Sequence, residues 1–233
     1  VPQAAWREAT AELTRSVALP VAATNRVPTP ELAEEILASG DAAVVALARP
    51  LLADPRFVAR AAAGEADQIM TCIACNQACL DHAFSGRTAS CMVNPRAGRE
   101  TELVLTPLAP PSTATSSASS APSTAVPSSE SVGWAPKLAV VGGGPAGLAA
   151  ALAGAERGFA VTLFEAADHL GGQFRLAAKI PGKTDYLATP RDFAARLKNL
   201  GAQIKLDHAP SVAELAGFDH IVVATGTLPR AWD

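Results

Sequence analysis

The sequence predicts an α/β protein with parallel sheets, and three observations support that fold class. Short apolar strands alternate with helices between residues 17 and 64. An apolar strand at 137–141 runs into Gly142-Gly-Gly-Pro-Ala-Gly147, which has the G-x-G-x-x-G spacing of a nucleotide-binding turn. A stretch of Ser, Thr, Ala and Pro at 106–136 separates the two regions. Because this stretch cannot bury enough apolar surface to offset its chain entropy, it is predicted to be a disordered linker.

The first region, residues 1–65, is predicted to contain two strand–helix pairs. Thr29-Pro30 has the residues preferred at a helix start, and Gly40 is typical of a helix end. Asp54-Pro55 is predicted to cap the second helix in the same way. The predicted elements are a strand at 17–23, a helix at 30–40, a strand at 41–48 and a helix at 55–64. Strands joined through helices in this manner pair in parallel.

An arginine follows each of the two predicted strands, Arg26 after the first and Arg49 after the second. In doubly wound sheets and (β/α)8 barrels, ligands bind at the carboxyl edge of the strands, where both arginines fall. Two guanidinium groups can clamp a phosphate by bidentate hydrogen bonds. The alternative is that each arginine pairs with a surface carboxylate.

All four cysteines lie in the segment 66–105, as Cys72-Ile-Ala-Cys75-Asn-Gln-Ala-Cys79 and Cys91. The C-x2-C-x3-C-x11-C spacing gathers four thiols within 20 residues, which indicates a shared partner. A [4Fe–4S] cluster and a zinc ion each take four cysteine ligands, and the spacing leaves both open. Two disulfides are the least favoured alternative, because the surrounding sequence is typical of an intracellular nucleotide-binding protein.

The third region, residues 137–233, has a nucleotide-binding turn in its full context. The strand precedes the turn, an Ala-rich helix follows it, and a second strand at 159–164 ends in Glu165. The first glycine of such a turn allows the bend, the second lets the backbone approach a pyrophosphate, and the third lets the helix pack against the strand. Glu165 is predicted to accept hydrogen bonds from ribose hydroxyls, and its charge disfavours the 2′-phosphate of NADP.

Two further glycine signals in this region are consistent with FAD: Gly171-Gly172-Gln173, and Ala224-Thr225-Gly226 at the end of a later strand. The alternative is that these are ordinary turn glycines. The uncharged run at 138–155 is long enough for a membrane span, but it contains five glycines and Pro145, so a span is not expected.

The balance of 19 basic against 22 acidic residues gives a net charge of −3. This charge provides no basic patch for nucleic acid or an anionic membrane. We therefore expect a cytoplasmic protein with a small-molecule substrate. The sequence does not indicate its oligomeric state.

Taken together, these stretches resemble the iron–sulfur flavoenzymes of the 2,4-dienoyl-CoA reductase and trimethylamine dehydrogenase type, which are related to old yellow enzyme. The resemblance is carried by residues 24–26, 48–55, 72–81, 91–95, 140–147, 171–174, 180–183 and 224–226. It implies that residues 1–65 are the C-terminal portion of an FMN-binding (β/α)8 barrel and that 66–105 hold a [4Fe–4S] cluster. It implies that 137–233 begin a Rossmann-like FAD-binding domain, which is incomplete.

The resemblance also assigns residues to cofactors. The FMN phosphate would contact Arg26, Ala48 and Arg49. The cluster would be ligated by Cys72, Cys75, Cys79 and Cys91. FAD would be held by Gly142, Gly144, Ala146, Gly147, Glu165 and Gln173. NADPH and most FMN contacts would lie outside this chain, and no catalytic residue is assigned within it.

The activity implied by the resemblance is reduction of a conjugated C=C bond in a 2,4-dienoyl-CoA-like substrate. Electrons would pass from NADPH to FAD, then singly through the cluster to FMN. Much of the barrel and the NADPH domain would be absent, so we expect a segment of such an enzyme that is inactive alone. The alternatives are the amine dehydrogenase branch, a non-catalytic electron-transfer module and a zinc-stabilised nucleotide-binding protein.

Overall fold

The computed structural model describes residues 1–109 and 134–227, and the chain divides into two compact units. The first unit comprises Val1–Val104 with Gly171–Arg196, and the second comprises Leu105–Leu170 with Leu197–Asp233. Most of the predicted linker at 106–136 lies outside the described residues, so its disorder stays a prediction. The predicted domain boundaries near residues 65, 105 and 136 also stay predictions.

The helices and strands are numbered in chain order. They are α1 (Arg7–Ser16), β1 (Ala22–Thr24), α2 (Pro30–Ala38), β2 (Val44–Ala46), α3 (Arg49–Ala53), α4 (Phe57–Ala62), α5 (Leu80–Phe84), β3 (Lys137–Val141), α6 (Pro145–Arg157), β4 (Ala160–Phe164), α7 (Gln173–Ala177), α8 (Ala188–Asn199), β5 (Gln203–Lys205), α9 (Val212–Leu215) and β6 (His220–Val223). Short 3-10 turns lie at Ala66–Gln68 and Thr184–Leu187.

In the first unit, β1 and β2 pair in parallel, with Ala22 opposite Val44. This agrees with the alternation of strands and helices in the sequence, although both strands are shorter than predicted. Thr29 caps α2 as expected, because its side chain accepts a hydrogen bond from the Leu32 N–H. The α2 helix packs over the strands around a small core of Ala23, Val27, Ile36 and Ala42.

Asp54 has a different role from the helix cap that the sequence predicts. The α4 helix begins at Phe57, and the Asp54 carboxylate forms a buried ion pair with Arg60, with 2.5 Å between Oδ2 and Nη1. It also accepts hydrogen bonds from the Arg56 and Met70 N–H groups, each at 3.0 Å. A buried carboxylate needs several donors, and these partners supply them.

The second unit contains a four-stranded parallel sheet with the order β5–β4–β3–β6. The α6 helix connects β3 to β4, and the residue after it, Gly158, has a φ of +97°, the left-handed conformation usual after a helix. Leu148 of α6 and Leu163 of β4 are fully buried, so helix and sheet share one core. The predicted strand–turn–helix–strand order is therefore present.

None of the helices in residues 1–109 and 134–227 combines the length and apolar character that crossing a bilayer requires.

Candidate cofactor sites

The loops that follow β1 and β2 enclose a cavity of about 160 Å³ in the first unit. Arg26, Ala48 and Arg49 all line it, so the three residues assigned to one phosphate share one cavity. The cavity lies at the carboxyl ends of both parallel strands, the edge where ligands bind in α/β folds. The remaining lining residues are Thr24, Asn25, Val27, Pro28, Ala46, Leu47, Pro50, Cys72 and Ala74.

The two arginines of this cavity have different partners. Arg26 pairs with a carboxylate, with 2.5 Å between its Nη2 and Oδ2 of Asp185. Arg49 is held by two amide oxygens, at 2.6 Å from Nη1 to Asn76 Oδ1 and 3.0 Å from Nη2 to Asn25 Oδ1. The alternative of a carboxylate partner thus applies to Arg26, whereas the two partners of Arg49 within residues 1–109 and 134–227 are neutral amides. A guanidinium has five N–H donors, so both groups can also bind an anion.

Several residues around the cavity have a backbone conformation that L-amino acids rarely adopt. The φ angles are +72° at Asn25, +58° at Arg26, +51° at Ala74 and +62° at Asn76. Such left-handed residues persist only where the surrounding structure holds them, and they concentrate at functional sites. Sequence reasoning missed Asn25, Asn76 and Asp185. The one available signal was that asparagine tolerates this conformation better than most residues.

The four cysteines line one small pocket in the first unit. All four thiols are free. Among residues 1–109 and 134–227, no three or more His, Cys, Asp or Glu side chains are arranged as ligands of a metal ion. The other residues lining the pocket are Arg49, Leu52, Ile73, Asn76, Met92 and Val93.

Burial makes these thiols hard to ionise without a positively charged partner. Desolvation raises the pKa of Cys91 to about 11 and also raises the pKa values of Cys72 and Cys75. The Arg49 charge partly opposes the shift at Cys72. Backbone N–H groups that hydrogen-bond to the sulfurs have the same opposing effect, and they belong to Ala74, Gln77, Val93 and Asn94. A bound metal would deprotonate the thiols, and hydrogen bonds to sulfur tune the potential of iron–sulfur clusters.

The arginine cavity and the cysteine pocket are adjacent, because Arg49 and Cys72 line both. The Arg49 guanidinium also hydrogen-bonds Asn76, which lies in the sequence between Cys75 and Cys79. One positively charged side chain therefore contacts both spaces.

The glycine-rich turn of the second unit uses each glycine in a distinct way. Gly142 has a φ of +111°, and a Cβ there would lie 2.3 Å from the Ala224 carbonyl oxygen. A Cβ at Gly147 would lie 1.8 Å from the Gly142 carbonyl oxygen, so only glycine lets α6 approach the strand. A Cβ at Gly144 would meet no atom within 4 Å, so this glycine leaves open space beside the backbone. Gly142 and Gly147 thus have the turn and close-packing roles expected of a dinucleotide turn, and the space beside Gly144 is compatible with a pyrophosphate.

Glu165 follows β4 and holds the turn directly. Its Oε2 accepts a hydrogen bond from the Gly143 N–H at 2.6 Å, and its Oε1 accepts one from the Ala167 N–H at 2.9 Å. The motif does not indicate this link to the turn. A carboxylate has about four acceptor positions, so hydrogen bonds to ribose hydroxyls remain compatible with it.

The other two residues assigned to the nucleotide lie at helix starts. Ala146 is the second residue of α6 and is exposed. Gln173 is the first residue of α7, which belongs to the first unit, so the turn described above does not include it.

Two family models match the chain. Residues 3–68 match the NADH:flavin oxidoreductase / NADH oxidase family, and residues 140–189 match the NAD(P)-binding Rossmann-like domain. The chain is 37% identical to a metal reductase of Desulforamulus reducens, with 98% of the chain and 32% of that relative aligned. It is 33% identical to an N,N-dimethylglycine/sarcosine dehydrogenase of Chromohalobacter salexigens, over 91% of the chain and 28% of that relative.

Among solved structures, a 2-naphthoyl-CoA reductase complex with 2-naphthoyl-CoA superposes with a TM-score of 0.84 at 28% identity, covering 99% of this chain and 32% of that chain. The chain thus spans about a third of the length of the proteins that it matches. The relatives include reductases and an amine dehydrogenase. The chain thus resembles the flavoenzyme family of 2,4-dienoyl-CoA reductase, trimethylamine dehydrogenase and old yellow enzyme.

Proposed function

We propose that this chain carries the electron-transfer part of an NAD(P)H-dependent flavoprotein oxidoreductase. In this proposal the arginine cavity holds the phosphate of FMN, the cysteine pocket holds a [4Fe–4S] cluster, and the glycine turn holds FAD. One observation carries the proposal: the four thiols line a single pocket, and that pocket shares Arg49 and Cys72 with the arginine cavity. Adjacent sites are what single-electron transfer between a cluster and a flavin needs.

The position of the cysteine pocket beside the arginine cavity favours an iron–sulfur cluster over zinc in this proposal, because zinc has no redox chemistry and could not exchange electrons with a flavin bound there. A zinc ion takes four sulfurs at about 2.3 Å from one central point. The four cysteines line one pocket, which has room for more than a single ion in this proposal. A cluster of several irons fills such a space, with each thiolate ligating a different iron.

The arginine cavity suits a phosphate group by charge. Arg26 and Arg49 bring two positive charges to the cavity, and Asp185 compensates one of them. A phosphate would restore neutrality, and the guanidinium groups match its oxygens. The identity of the phosphate as that of FMN rests on the match of residues 3–68 to a flavin oxidoreductase family.

The glycine turn suits a dinucleotide by shape. The open space beside Gly144 lets a pyrophosphate approach the start of α6, where free N–H groups and the helix dipole favour an anion. The carboxylate of Glu165 follows β4 at the position that contacts ribose hydroxyls. The assignment of FAD to this turn, and of NADPH as the reductant of FAD, rests on the resemblance to the flavoenzyme family and not on the turn alone.

When bound, the flavins would accept electrons in pairs or singly, and the cluster would pass them singly. The chain's own residues bind and orient these groups, and the N–H donors near the cysteines tune the sulfurs. The reaction proposed for the whole enzyme is reduction of a conjugated C=C bond in a thioester substrate, and the similarity to a 2-naphthoyl-CoA reductase supports a CoA thioester as the substrate class. Amine oxidation is the second candidate, because a dimethylglycine/sarcosine dehydrogenase is 33% identical.

Flavin titration tests the proposal. The 233-residue chain, reconstituted without oxygen, should bind FMN and FAD at separate sites. The Arg26→Ala/Arg49→Ala variant should weaken FMN binding by at least about tenfold, because it removes both phosphate partners, and should leave FAD binding unchanged. If the variant bound FMN as tightly as the parent chain does, the assignment of the arginine cavity would be wrong.

A further inference from the structure

We propose that Asn76 couples the arginine cavity to the cysteine pocket, so that a ligand in one changes the affinity of the other. This inference rests on the proposed function, because it takes FMN and a [4Fe–4S] cluster as the two ligands. Asn76 lies between Cys75 and Cys79, and its side-chain oxygen accepts a 2.6 Å hydrogen bond from Arg49 Nη1. It therefore joins the cysteine segment to a residue that lines the arginine cavity.

The coupling depends on how the guanidinium of Arg49 is held. One nitrogen contacts Asn76 and the other contacts Asn25, at 3.0 Å. Both asparagines have left-handed backbones, with φ of +62° and +72°, so each amide is presented by a loop in an uncommon conformation. A change in either loop therefore alters the position of the guanidinium.

The loop that carries Asn76 has little regular structure to hold it. The chain from Ile69 to Cys79 contains no helix or strand, and α5 begins only at Leu80. Ligation of Cys75 and Cys79 would fix this loop and thereby fix Asn76. Arg49 would then be ordered before FMN arrives, so binding of the phosphate would lose less conformational entropy.

Electrostatic repulsion between the cluster and the phosphate would oppose this coupling, but its contribution can be measured separately from that of Asn76. A cluster held by four thiolates is negative, as is a phosphate, and the two repel each other whatever residue occupies position 76. Removing the Asn76 side chain leaves this repulsion in place and removes the hydrogen bond. The difference between the parent chain and the variant therefore reports the coupling through Asn76.

The experiment measures FMN affinity in cluster-free and cluster-loaded protein by quenching of flavin fluorescence. The cluster-free form is made with a chelator, and the loaded form with iron(II) and sulfide under anaerobic conditions. The variant is Asn76→Gly, because glycine keeps the left-handed backbone without strain. The control is Gln77→Gly, a neighbouring amide of the same loop whose side chain is exposed.

The measured quantity is the FMN dissociation constant of the cluster-free form divided by that of the loaded form. We expect Asn76→Gly to lower this ratio at least about fivefold relative to the parent chain, the low end of coupling between two sites. Gln77→Gly should leave the ratio unchanged.

Other results would overturn the inference in distinguishable ways. If the parent chain takes up both ligands and all three proteins give the same ratio, the coupling is absent and the proposed function stands. If Gln77→Gly lowers the ratio as much as Asn76→Gly, loop rigidity in general is responsible and Asn76 has no special role. If the parent chain binds no FMN or assembles no cluster, the proposed function and the coupling both fail.

Discussion

The arginine–cysteine region of the first unit and the glycine turn of the second unit prepare their sites by different means. The first region positions side chains through hydrogen bonds between loops, as Asn25 and Asn76 do for Arg49. The second region has glycine at positions 142, 144 and 147, so the backbone itself forms the site there. A site of the first kind depends on contacts between residues far apart in sequence. A site of the second kind is specified by one short sequence motif.

Cys75→Ala should produce the largest effect, and it separates the two regions most clearly. Losing one of four thiolates should abolish cluster assembly, because the remaining three leave one iron without its ligand. FAD binding should persist, since the glycine turn belongs to the other unit. Iron, sulfide and FAD contents of the same anaerobic preparation provide the measurement. Equal loss of cluster and FAD would show that the two regions do not act separately.

Gly144→Val should have the next largest effect, with the opposite selectivity. A Cβ added at Gly144 would meet no protein atom within 4 Å, so the fold should tolerate a side chain that starts there, but valine would occupy the space proposed for the pyrophosphate. We expect FAD affinity to fall at least about tenfold while the melting temperature of the ligand-free protein and the iron content stay unchanged.

Gly217→Ala is the matched control for that variant, because its nearest contact for an added Cβ is an ordinary 3.6 Å from the Glu214 carbonyl oxygen. It should affect neither FAD affinity nor melting. If Gly144→Val retained parental FAD affinity, the dinucleotide would not bind beside this glycine.

Gly147→Ala should act on stability instead of binding. The added Cβ would lie 1.8 Å from the Gly142 carbonyl oxygen, so α6 and the turn must move apart. Forcing extra volume into a packed contact typically costs about 1–3 kcal/mol of unfolding free energy. Chemical denaturation of the ligand-free protein measures the change. An unaltered denaturation midpoint would mean that the close approach of α6 is unnecessary.

Asp192→Asn should have the smallest effect, and it tests how the first unit holds its cysteine segment. The Asp192 carboxylate is buried, accepts the Thr71 N–H at 2.8 Å and lies beside Arg191. Burial raises the pKa of Asp192 above its ordinary value. A carboxyl group whose folded pKa is raised stabilises the fold below its unfolded pKa and loses that contribution as pH rises through the folded pKa.

Asparagine cannot ionise but can still accept the Thr71 N–H. Asp192→Asn should therefore keep parental stability at pH 7 within about 1 kcal/mol and flatten the decline in stability as pH rises from about 4. Asp192→Ala leaves the Thr71 N–H without its acceptor and should lose about 1–3 kcal/mol. Urea denaturation across this pH range measures both variants. Equal stability of the asparagine and alanine variants would mean that the Thr71 contact contributes nothing.

The contrast between the regions also explains what could be predicted from the sequence. The parallel sheets, the Thr29 cap and the close packing at Gly142 and Gly147 follow from local patterns, and the structure agrees with each. The partners of Arg26 and Arg49 could not be predicted, because Asp185 and Asn76 lie 159 and 27 residues away in the chain. Asp54 was misassigned as a helix cap for the same reason, since its partners include Met70, 16 residues away.

Metal and sulfide analysis of protein purified and reconstituted without oxygen tests the central claim most directly. We expect about four iron atoms and four acid-labile sulfides per chain, with a brown visible spectrum that bleaches on reduction. A colourless protein that contains one zinc ion and no sulfide would contradict it, however well the glycine turn bound its nucleotide.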